Sequence, residues 1–256
     1  MKNVGLYASL IILFFVPAAQ AADEIVIAAA ADLQFAMPEV VTQFEKETGQ
    51  KVRVTFGSSG NFASQIQNGA PFDIFFSADL NYPRQLDAAG LIEPGSIYHY
   101  GDGKIVLWTL KSSGIDISSG LSILPDPRIH KVAIANPEHA PYGRAAVAAL
   151  KHENLYEGVR NKIVLAENIS QAAQFVDAGS AEVGIVALSL VVAPTVRDRG
   201  RYFVIPESEY PPIEQGCAIL KSSQHKQAAK QFLEFMKTPA IVTLLHKFGF
   251  EVPKGK

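Results

Sequence analysis

The segment Val54-Thr55-Phe56-Gly57-Ser58-Ser59-Gly60-Asn61-Phe62 is the most informative part of the sequence. A β-branched strand runs into two serines flanked by glycines, and an amphipathic segment follows from Phe62 to Gln67. Glycine lets the backbone turn sharply, so the first amides of the coming helix and the serine hydroxyls can converge on one point. Because free N–H groups and the positive end of the helix dipole face outward together, this turn predicts an anion site.

The charge of this turn excludes one familiar kind of anion site. It contains neither lysine nor arginine, and the G-x-x-x-x-G-K-[ST] pattern of a nucleotide phosphate loop is absent from the sequence. The whole chain has a formal net charge of −2 at pH 7. It therefore offers no basic field for nucleic acid or for an anionic lipid surface.

The N-terminus predicts export. Lys2 precedes an apolar run from Leu6 to Val16, and Ala19-Gln20-Ala21 has the small-x-small pattern of a signal-peptidase site. The run is too short for a spanning helix, so we assign residues 1–21 to a cleaved signal peptide and expect the mature chain in a bacterial periplasm. The only cysteine, Cys217, excludes an intramolecular disulfide and predicts a small buried hydrophobic side chain.

Short aliphatic runs alternate with helical patterns along the mature chain, which predicts an α/β fold with mainly parallel sheets flanked by helices. The predicted strands are Glu24–Ala28, Lys51–Phe56, Asp73–Ser77, Ile105–Leu110, Lys131–Ala135, Lys162–Leu165, Val183–Ala187, Tyr202–Ile205 and Gln215–Leu220. The predicted helices are Leu33–Thr48, Asn61–Asn68, Asn81–Ala89, Tyr142–His152, Ser170–Ala178, Leu188–Ala193 and Gln224–Lys237.

Two places have the character of crossings between lobes. Gly101-Asp102-Gly103 and the segment Pro206–Pro212 each precede a strand with no helix between. A chain that crosses twice forms a first lobe from both terminal portions, here residues 22–102 and 210–256, and a second lobe from residues 103–209. Ligands of such sheets bind outside the carboxyl ends of the strands, which places a ligand in the cleft between the lobes.

Four strand-to-helix turns, two from each lobe, can reach that cleft. They are residues 28–32, 57–60, 136–143 and 167–170. An oxyanion without protons offers only acceptors, so a ring of neutral N–H and O–H donors satisfies it. Only Arg144 brings a cation near, and the six histidines show no zinc-binding spacing, so we expect no bare metal cation.

The ordered set of turns and motifs resembles the periplasmic molybdate-binding proteins of ABC importers, within the type II periplasmic binding-protein fold. The resemblance covers essentially the whole mature chain. It is carried by Ala29-Ala30-Ala31-Asp32-Leu33, Gly57-Ser58-Ser59-Gly60, the segment Gln65–Asp79, the segment Asn136–Gly143, Gly184-Ile185-Val186-Ala187, Tyr210-Pro211 and Lys247-Phe248-Gly249-Phe250.

The resemblance implies a ligand set and a set of partners. The ligand-binding residues that it implies are Ala31, Asp32, Ser59, Tyr142 and Ile169. It further implies capture of molybdate and also tungstate, closure of the lobes, and delivery to an ABC permease of the inner membrane. Molybdenum would be bound as the oxyanion, and we expect a monomer without a cofactor.

Asp32 departs from the family pattern, because many members place a serine there whose hydroxyl donates to the anion. One interpretation, which we favour, is that Asp32 turns away and caps helix Leu33–Thr48, since Asp is among the best N-cap residues. The alternative is that its carboxylate accepts a proton from a singly protonated oxyanion, which would change the substrate. Ala187 is a second departure, because some members have a tyrosine at this position. A subset of the family has no tyrosine there and carries one at the position of Tyr142 instead, and this chain resembles that subset.

The two alternative functional classes are a secreted enzyme and a binding protein for a signalling receptor. A secreted enzyme such as a hydrolase is disfavoured, because the sequence has no G-x-S-x-G elbow and no histidine or lysine close to Ser59 in sequence. A binding protein that feeds a signalling receptor instead of a permease stays open at this point. The chain is therefore expected to be a binding protein and not an enzyme.

Overall fold

The computed structural model describes residues 24–253, so the predicted signal peptide lies outside the described residues. The described chain alternates strands and helices. The strands are β1 (Ile25–Ala30), β2 (Val52–Gly57), β3 (Ile74–Ser77), β4 (Tyr98–Gly103), β5 (Ile105–Leu110), β6 (Val132–Ala135), β7 (Ile163–Ala166), β8 (Val183–Ala187), β9 (Gly200–Val204) and β10 (Ile213–Ile219).

The α-helices follow most strands, and short 3₁₀ turns occupy several of the connections. The helices are α1 (Ala36–Thr48), α2 (Ser59–Gln67), α3 (Asn81–Ala88), α4 (Pro141–His152), α5 (Tyr156–Val159), α6 (Ile169–Asp177), α7 (Leu188–Val191), α8 (Lys226–Met236) and α9 (Pro239–Lys247). No helix within residues 24–253 has the length and apolar character that crossing a membrane requires.

The strands form two five-stranded sheets with the orders β2-β1-β3-β10-β4 and β7-β6-β8-β5-β9. The expected α/β architecture is confirmed, but both sheets are mixed. In the first, β1 pairs in parallel with β2 and β3, while β10 runs antiparallel to β3 and β4. The second repeats this division, because strands that follow a crossing enter their sheet without the helical connection that parallel pairing needs.

The chain passes between the sheets twice. It leaves the first sheet at Gly103 and enters the second at Ile105, then leaves the second at Val204 and returns at Ile213. Both passages coincide with the two segments that the sequence marks as crossings. The lobe boundaries at residues 102/103 and 209/210 stay a prediction.

The helices cover the sheets with apolar faces. On α8, Phe232 is fully buried and packs edge-on against Phe44 of α1, with ring centroids 4.9 Å apart. Phe76 of β3 lies 6.1 Å from Phe232 in a similar geometry. Aromatic pairs of this kind add about 0.5–1.5 kcal/mol to the burial of their area. This core holds the carboxyl ends of β1 and β3 in place beneath the cleft.

Three elements have no counterpart in the sequence predictions. β4 contains Gly101 and Gly103, which weaken strand propensity, and it exists because β10 pairs with it. The four-residue α5 is too short for a periodic signal. Helix α9 begins with Pro239 at its first position, where proline is compatible with a helix.

Candidate functional site

The first turn of α2 carries the two serines of the segment Val54–Phe62. Ser58 is the N-cap, and its Oγ accepts a hydrogen bond from the Asn61 amide at 3.4 Å. Ser59 is the first helical residue and is 1% exposed. Its Oγ accepts from the Ala78 amide at 2.9 Å, which leaves the single hydroxyl proton of Ser59 available to donate elsewhere.

Helices α4 and α6 begin in comparable turns of the second sheet. In α4, Pro141 and Tyr142 open the helix, and a Cβ at Gly143 would collide with the Ala135 carbonyl oxygen. In α6, the Asn168 side chain accepts from the Gln171 amide at 3.0 Å, and Ile169 is the first helical residue. Both turns are therefore fixed in position by close packing or by a side-chain cap.

Among the first-turn amides that lack an acceptor within residues 24–253, three buried ones lie at the starts of α2, α4 and α6. They belong to Ser59, Tyr142 and Ile169, all of which are at most 4% exposed. Helix geometry supplies no partner for such amides, because an acceptor four residues earlier would lie outside the helix. A buried N–H without an acceptor costs about 1–3 kcal/mol, so these three donors favour an anionic partner.

Contacts between the lobes bring these turns together. The Gly60 amide donates to the His139 carbonyl at 2.9 Å, and His139 Nδ1 lies 2.9 Å from Ser58 Oγ. The Asn61 side chain also hydrogen-bonds Glu167, directly before α6. The start of α2 in the first lobe thus faces the starts of α4 and α6 in the second.

Asp32 lies at the centre of a buried hydrogen-bond network. Its Oδ2 accepts from the Tyr142 hydroxyl at 2.9 Å and from Gln215 Nε2 at 2.7 Å. The Ser189 hydroxyl donates to the Asp32 backbone carbonyl at 2.8 Å. Tyr100 completes the network by donating to Gln215 Oε1. Since Tyr142 comes from the second lobe and Gln215 from the first sheet, this network joins the two lobes.

The favoured capping role of Asp32 is wrong. Residues Ala31–Leu33 form a separate 3₁₀ turn, and α1 begins only at Ala36 with Phe35 as an N-cap that makes no side-chain hydrogen bond. The carboxylate is instead 0% exposed. A buried carboxylate needs strong donors, and the hydroxyl of Tyr142 and the amide of Gln215 provide them more directly than the displaced helix can.

Burial dominates the electrostatics of this network. Desolvation raises the pKa of Asp32 to about 6, although the hydrogen bonds from Gln215 and Tyr142 oppose the shift. Burial also raises the pKa of Tyr142 and of Tyr100 well above the usual value of 10, so both phenols stay protonated donors. Within residues 24–253, Asp32 Oδ1 has no hydrogen-bond partner.

All five residues that the resemblance implies are connected in the structure. Ala31, Tyr142 and Ile169 belong to one buried cluster that also contains Ala78, the hydrogen-bond donor to Ser59. Asp32 joins them through the Tyr142 hydroxyl. Their role as ligands stays a prediction.

The sequence reasoning missed Gln215 and Tyr100. The available signal was a glutamine inside the apolar run of β10, which is unusual for a buried strand. Arg144 also differs from expectation, because it contacts Asp79 at 2.6 Å and Tyr82 Oη at 3.2 Å. It bridges α4 to the start of α3 and helps to hold the two lobes together.

One cluster of possible metal ligands occurs in the described part of the chain, formed by His152, Glu153 and Glu209. It lies at the C-terminal end of α4, whereas Tyr142 is at the N-terminal end. It is therefore separate from the cleft.

The fold and site define a class of binding protein. The chain belongs to the family described as bacterial extracellular solute-binding protein, which matches residues 25–251. It is 40% identical over 233 residues to the molybdate-binding protein ModA of Azotobacter vinelandii, with 91% of each chain covered. It is 37% identical over 230 residues to ModA of Rhodobacter capsulatus, covering 90% of this chain and 89% of that protein.

Solved structures agree with this assignment. The periplasmic molybdate-binding protein of Azotobacter vinelandii superimposes with a TM-score of 0.85 at 35% identity, covering 90% of this chain and 100% of that one. The sulfate-binding protein SubI of Mycobacterium tuberculosis, at 18% identity and a TM-score of 0.72, shares the fold alone. The predicted resemblance to periplasmic molybdate-binding proteins is therefore confirmed.

Proposed function

We propose that this protein captures molybdate, and tungstate equally well, in the cleft between its lobes and delivers it to an ABC permease of the inner membrane. The observation that carries the proposal is the set of three buried amides, from Ser59, Tyr142 and Ile169, that have no acceptor among the described residues. The names of the relatives at 37–40% identity support molybdate as the anion.

The donor chemistry favours an anion that carries no proton. Backbone amides and the Ser59 hydroxyl donate. Of the two Asp32 carboxylate oxygens in the neighbouring network, Oδ2 is already bonded to Tyr142 and Gln215, and Oδ1 is buried. Phosphate species that keep a proton need an acceptor of their own. Sulfate is smaller than molybdate, so a cage held by packed helix starts would leave donors stretched. Molybdate and tungstate share size and charge and should be bound alike.

The two-lobed arrangement supports capture and release. Two amides come from the second lobe and one from the first, so the anion itself would hold the lobes together. Delivery to a permease requires the lobes to separate, which breaks the contacts of Gly60 with His139. We assign no catalytic step, because the relatives are named as binding proteins. Ser58, whose Oγ lies beside His139, has a structural role as the N-cap of α2.

Calorimetric titration of residues 22–256 with molybdate, tungstate, sulfate and phosphate tests the proposal. We expect tight binding of the first two anions and none of the last two at the same concentration. Equal binding of sulfate, or a preference for phosphate, would contradict the assignment and leave kinship of fold only. Measurement of uptake in cells that lack the cognate permease genes separates import from signalling.

Ser59→Ala should weaken molybdate binding about 10- to 100-fold. The change removes a hydroxyl that donates to a charged acceptor, a hydrogen bond worth about 1.5–3 kcal/mol. The amide of Ser59 remains, so binding is reduced rather than lost. Calorimetry gives the affinity of the variant, and thermal unfolding checks that the fold is kept.

Ser64→Ala is the matched control, because Ser64 lies on the same helix and is exposed. Its affinity should equal that of the unmodified protein. If Ser59→Ala binds as tightly as Ser64→Ala, the Ser59 hydroxyl does not contact the ligand.

A further inference from the structure

Asp32 presents an unusual combination of burial and incomplete hydrogen bonding. The carboxylate is 0% exposed, and its Oδ2 holds both of its side-chain donors, Tyr142 and Gln215. Its Oδ1 is buried and has no hydrogen-bond partner within residues 24–253. A buried ionised carboxylate is normally paired with a cation or saturated with donors. Asp32 has no cation beside it, and apart from Tyr142 and Gln215 only the amides of Asp32 and Leu33 oppose the rise of its pKa.

Within the described part of the chain, no charged group compensates the Asp32 carboxylate. The ionisable groups of its own network are the phenols of Tyr100 and Tyr142, and beside Tyr100 lies Cys217, whose pKa burial raises. All three are neutral near pH 7. Charged groups on the surrounding elements are exposed to solvent or form ion pairs with other residues. The exposed residue is Glu214, and the ion pairs are Arg144–Asp79, His99–Asp102, Asp177–Arg199 and Arg53–Glu24.

From this geometry we infer that binding of the oxyanion is coupled to the uptake of one proton by Asp32. The proton adds to a lone pair of Oδ1 and comes from the buffer acid, which becomes its conjugate base. Oδ2 keeps its hydrogen bonds from Tyr142 and Gln215, so the network joining the lobes survives protonation. The inference rests on the proposed function, and it identifies Asp32 as a positioning residue rather than an acceptor for a protonated ligand.

The position of Asp32 explains the coupling. Its carboxylate bonds the side chain of Tyr142, whose amide is one of the proposed anion donors. A bound dianion therefore lies within about one side-chain length of the carboxylate, where like charges repel through a medium of low dielectric. Protonation of Asp32 removes that repulsion, and the dianion in turn favours the protonated form.

The sign of the pH dependence follows from linkage. The pKa of Asp32 is about 6 in the structure without an anion, and a bound dianion raises it further. Binding then takes up a proton at pH values between the pKa of the free protein and the higher pKa of the complex. The affinity for molybdate should fall as the pH rises, by roughly 10- to 100-fold between pH 6 and pH 8.

The test is calorimetry of the mature chain with molybdate at pH 6, 7 and 8. At pH 7 the titration is repeated in two buffers of different ionisation enthalpy, which yields the number of protons taken up per anion. We expect up to about one proton per molybdate, with an affinity that decreases as the pH rises.

Two variants assign the proton. Asp32→Asn keeps an oxygen that accepts from Tyr142 and Gln215 and places an uncharged NH₂ group at the Oδ1 position. This variant should take up no proton on binding, and its affinity should not depend on pH. At pH 8 it should bind molybdate more tightly than the unmodified protein. Tyr142→Phe removes one donor to Oδ2 while keeping the backbone amide. It should raise the pKa of Asp32 and move the pH profile to higher pH, and it serves as the test if Asp32→Asn does not fold.

The outcomes are distinguishable. Molybdate binding with no proton uptake and a flat pH profile would overturn the coupling and leave the proposed function intact. A pH slope that persists in Asp32→Asn, or that Tyr142→Phe leaves in place, would also overturn the assignment to Asp32. If the unmodified protein binds no molybdate at any of the three pH values, the proposed function itself fails.

Discussion

Gly60→Ala should lower the affinity for molybdate by at least about 100-fold while leaving the melting temperature of the unliganded protein nearly unchanged. A Cβ at Gly60 would lie 2.7 Å from the His139 carbonyl oxygen and 2.9 Å from its Cα. These are backbone atoms of the opposite lobe, which cannot rotate away. The added methyl group would therefore hold the lobes apart and disrupt the hydrogen bond from the Gly60 amide to His139.

The size of the effect follows from what separation removes. The proposed donors of the second lobe are the amides of Tyr142 and Ile169, and each charge-assisted hydrogen bond contributes about 1.5–3 kcal/mol. Loss of both corresponds to about 3 kcal/mol or more, hence more than 100-fold in affinity. Stability should be nearly kept because the remaining close contact, 2.8 Å from the added Cβ to Tyr82 Oη, is with the tip of a side chain that can move aside.

Calorimetry with molybdate and a thermal melt without ligand check this prediction. Gly158→Ala is the matched control, since Gly158 is also helical and an added Cβ there meets nothing within 4 Å. The control should bind normally. Normal binding by Gly60→Ala would mean that the contact between Gly60 and His139 is not part of the liganded state.

Much of the fold could be predicted from the sequence because its signals are local. The strands from Ile105 to Leu110 and from Val183 to Ala187 are predicted with the bounds that the structure has. Each is an apolar run, broken only by Thr109 or by Gly184, that turn or helix residues follow. The starts of α2, α4 and α6 were predicted within two residues, because serine, proline and asparagine mark them chemically.

The candidate site was predictable only where it is local. The turns that carry Ser59, Tyr142 and Ile169 follow strands directly, so their convergence follows from the topology of the fold. The environment of Asp32 could not be predicted in this way, because its hydrogen-bond partners Tyr142 and Gln215 lie 110 and 183 positions away in sequence. Read locally, Asp before a helix indicates a cap. Tertiary burial overrides that preference.

Asp32→Asn should raise the free energy of unfolding of the unliganded protein by about 3 kcal/mol at pH 8 and by almost nothing at pH 4. Burial raises the pKa of Asp32 from 3.8 to about 6. Between these values the folded protein holds a proton that the unfolded chain releases, so stability falls as the pH rises and stays lower above pH 6. A shift of about 2 pKa units corresponds to a loss of about 3 kcal/mol in the free energy of unfolding. The Asp32→Asn variant does not suffer this loss, because asparagine does not ionise.

Chemical denaturation of both proteins at pH 4, 6 and 8 measures this difference, and comparison at each pH cancels the carboxylates that the two proteins share. Asp126→Asn provides a control of opposite sign. The Arg128 side chain and amide lower the pKa of Asp126 to about 2, so its loss should destabilise the protein at pH 8.

A higher free energy of unfolding for Asp32→Asn at pH 8 would mean that the protein keeps a carboxylate at a position where an asparagine side chain of the same shape gives a more stable fold. Such a cost to stability is expected where a side chain serves binding rather than folding. An equal stability of the two proteins at pH 8 would instead mean that the amides of Asp32 and Leu33, with Gln215 and Tyr142, compensate the buried charge fully. Asp32 would then stay ionised in the closed cleft, and the proton coupled to the bound oxyanion would have to be carried by another group.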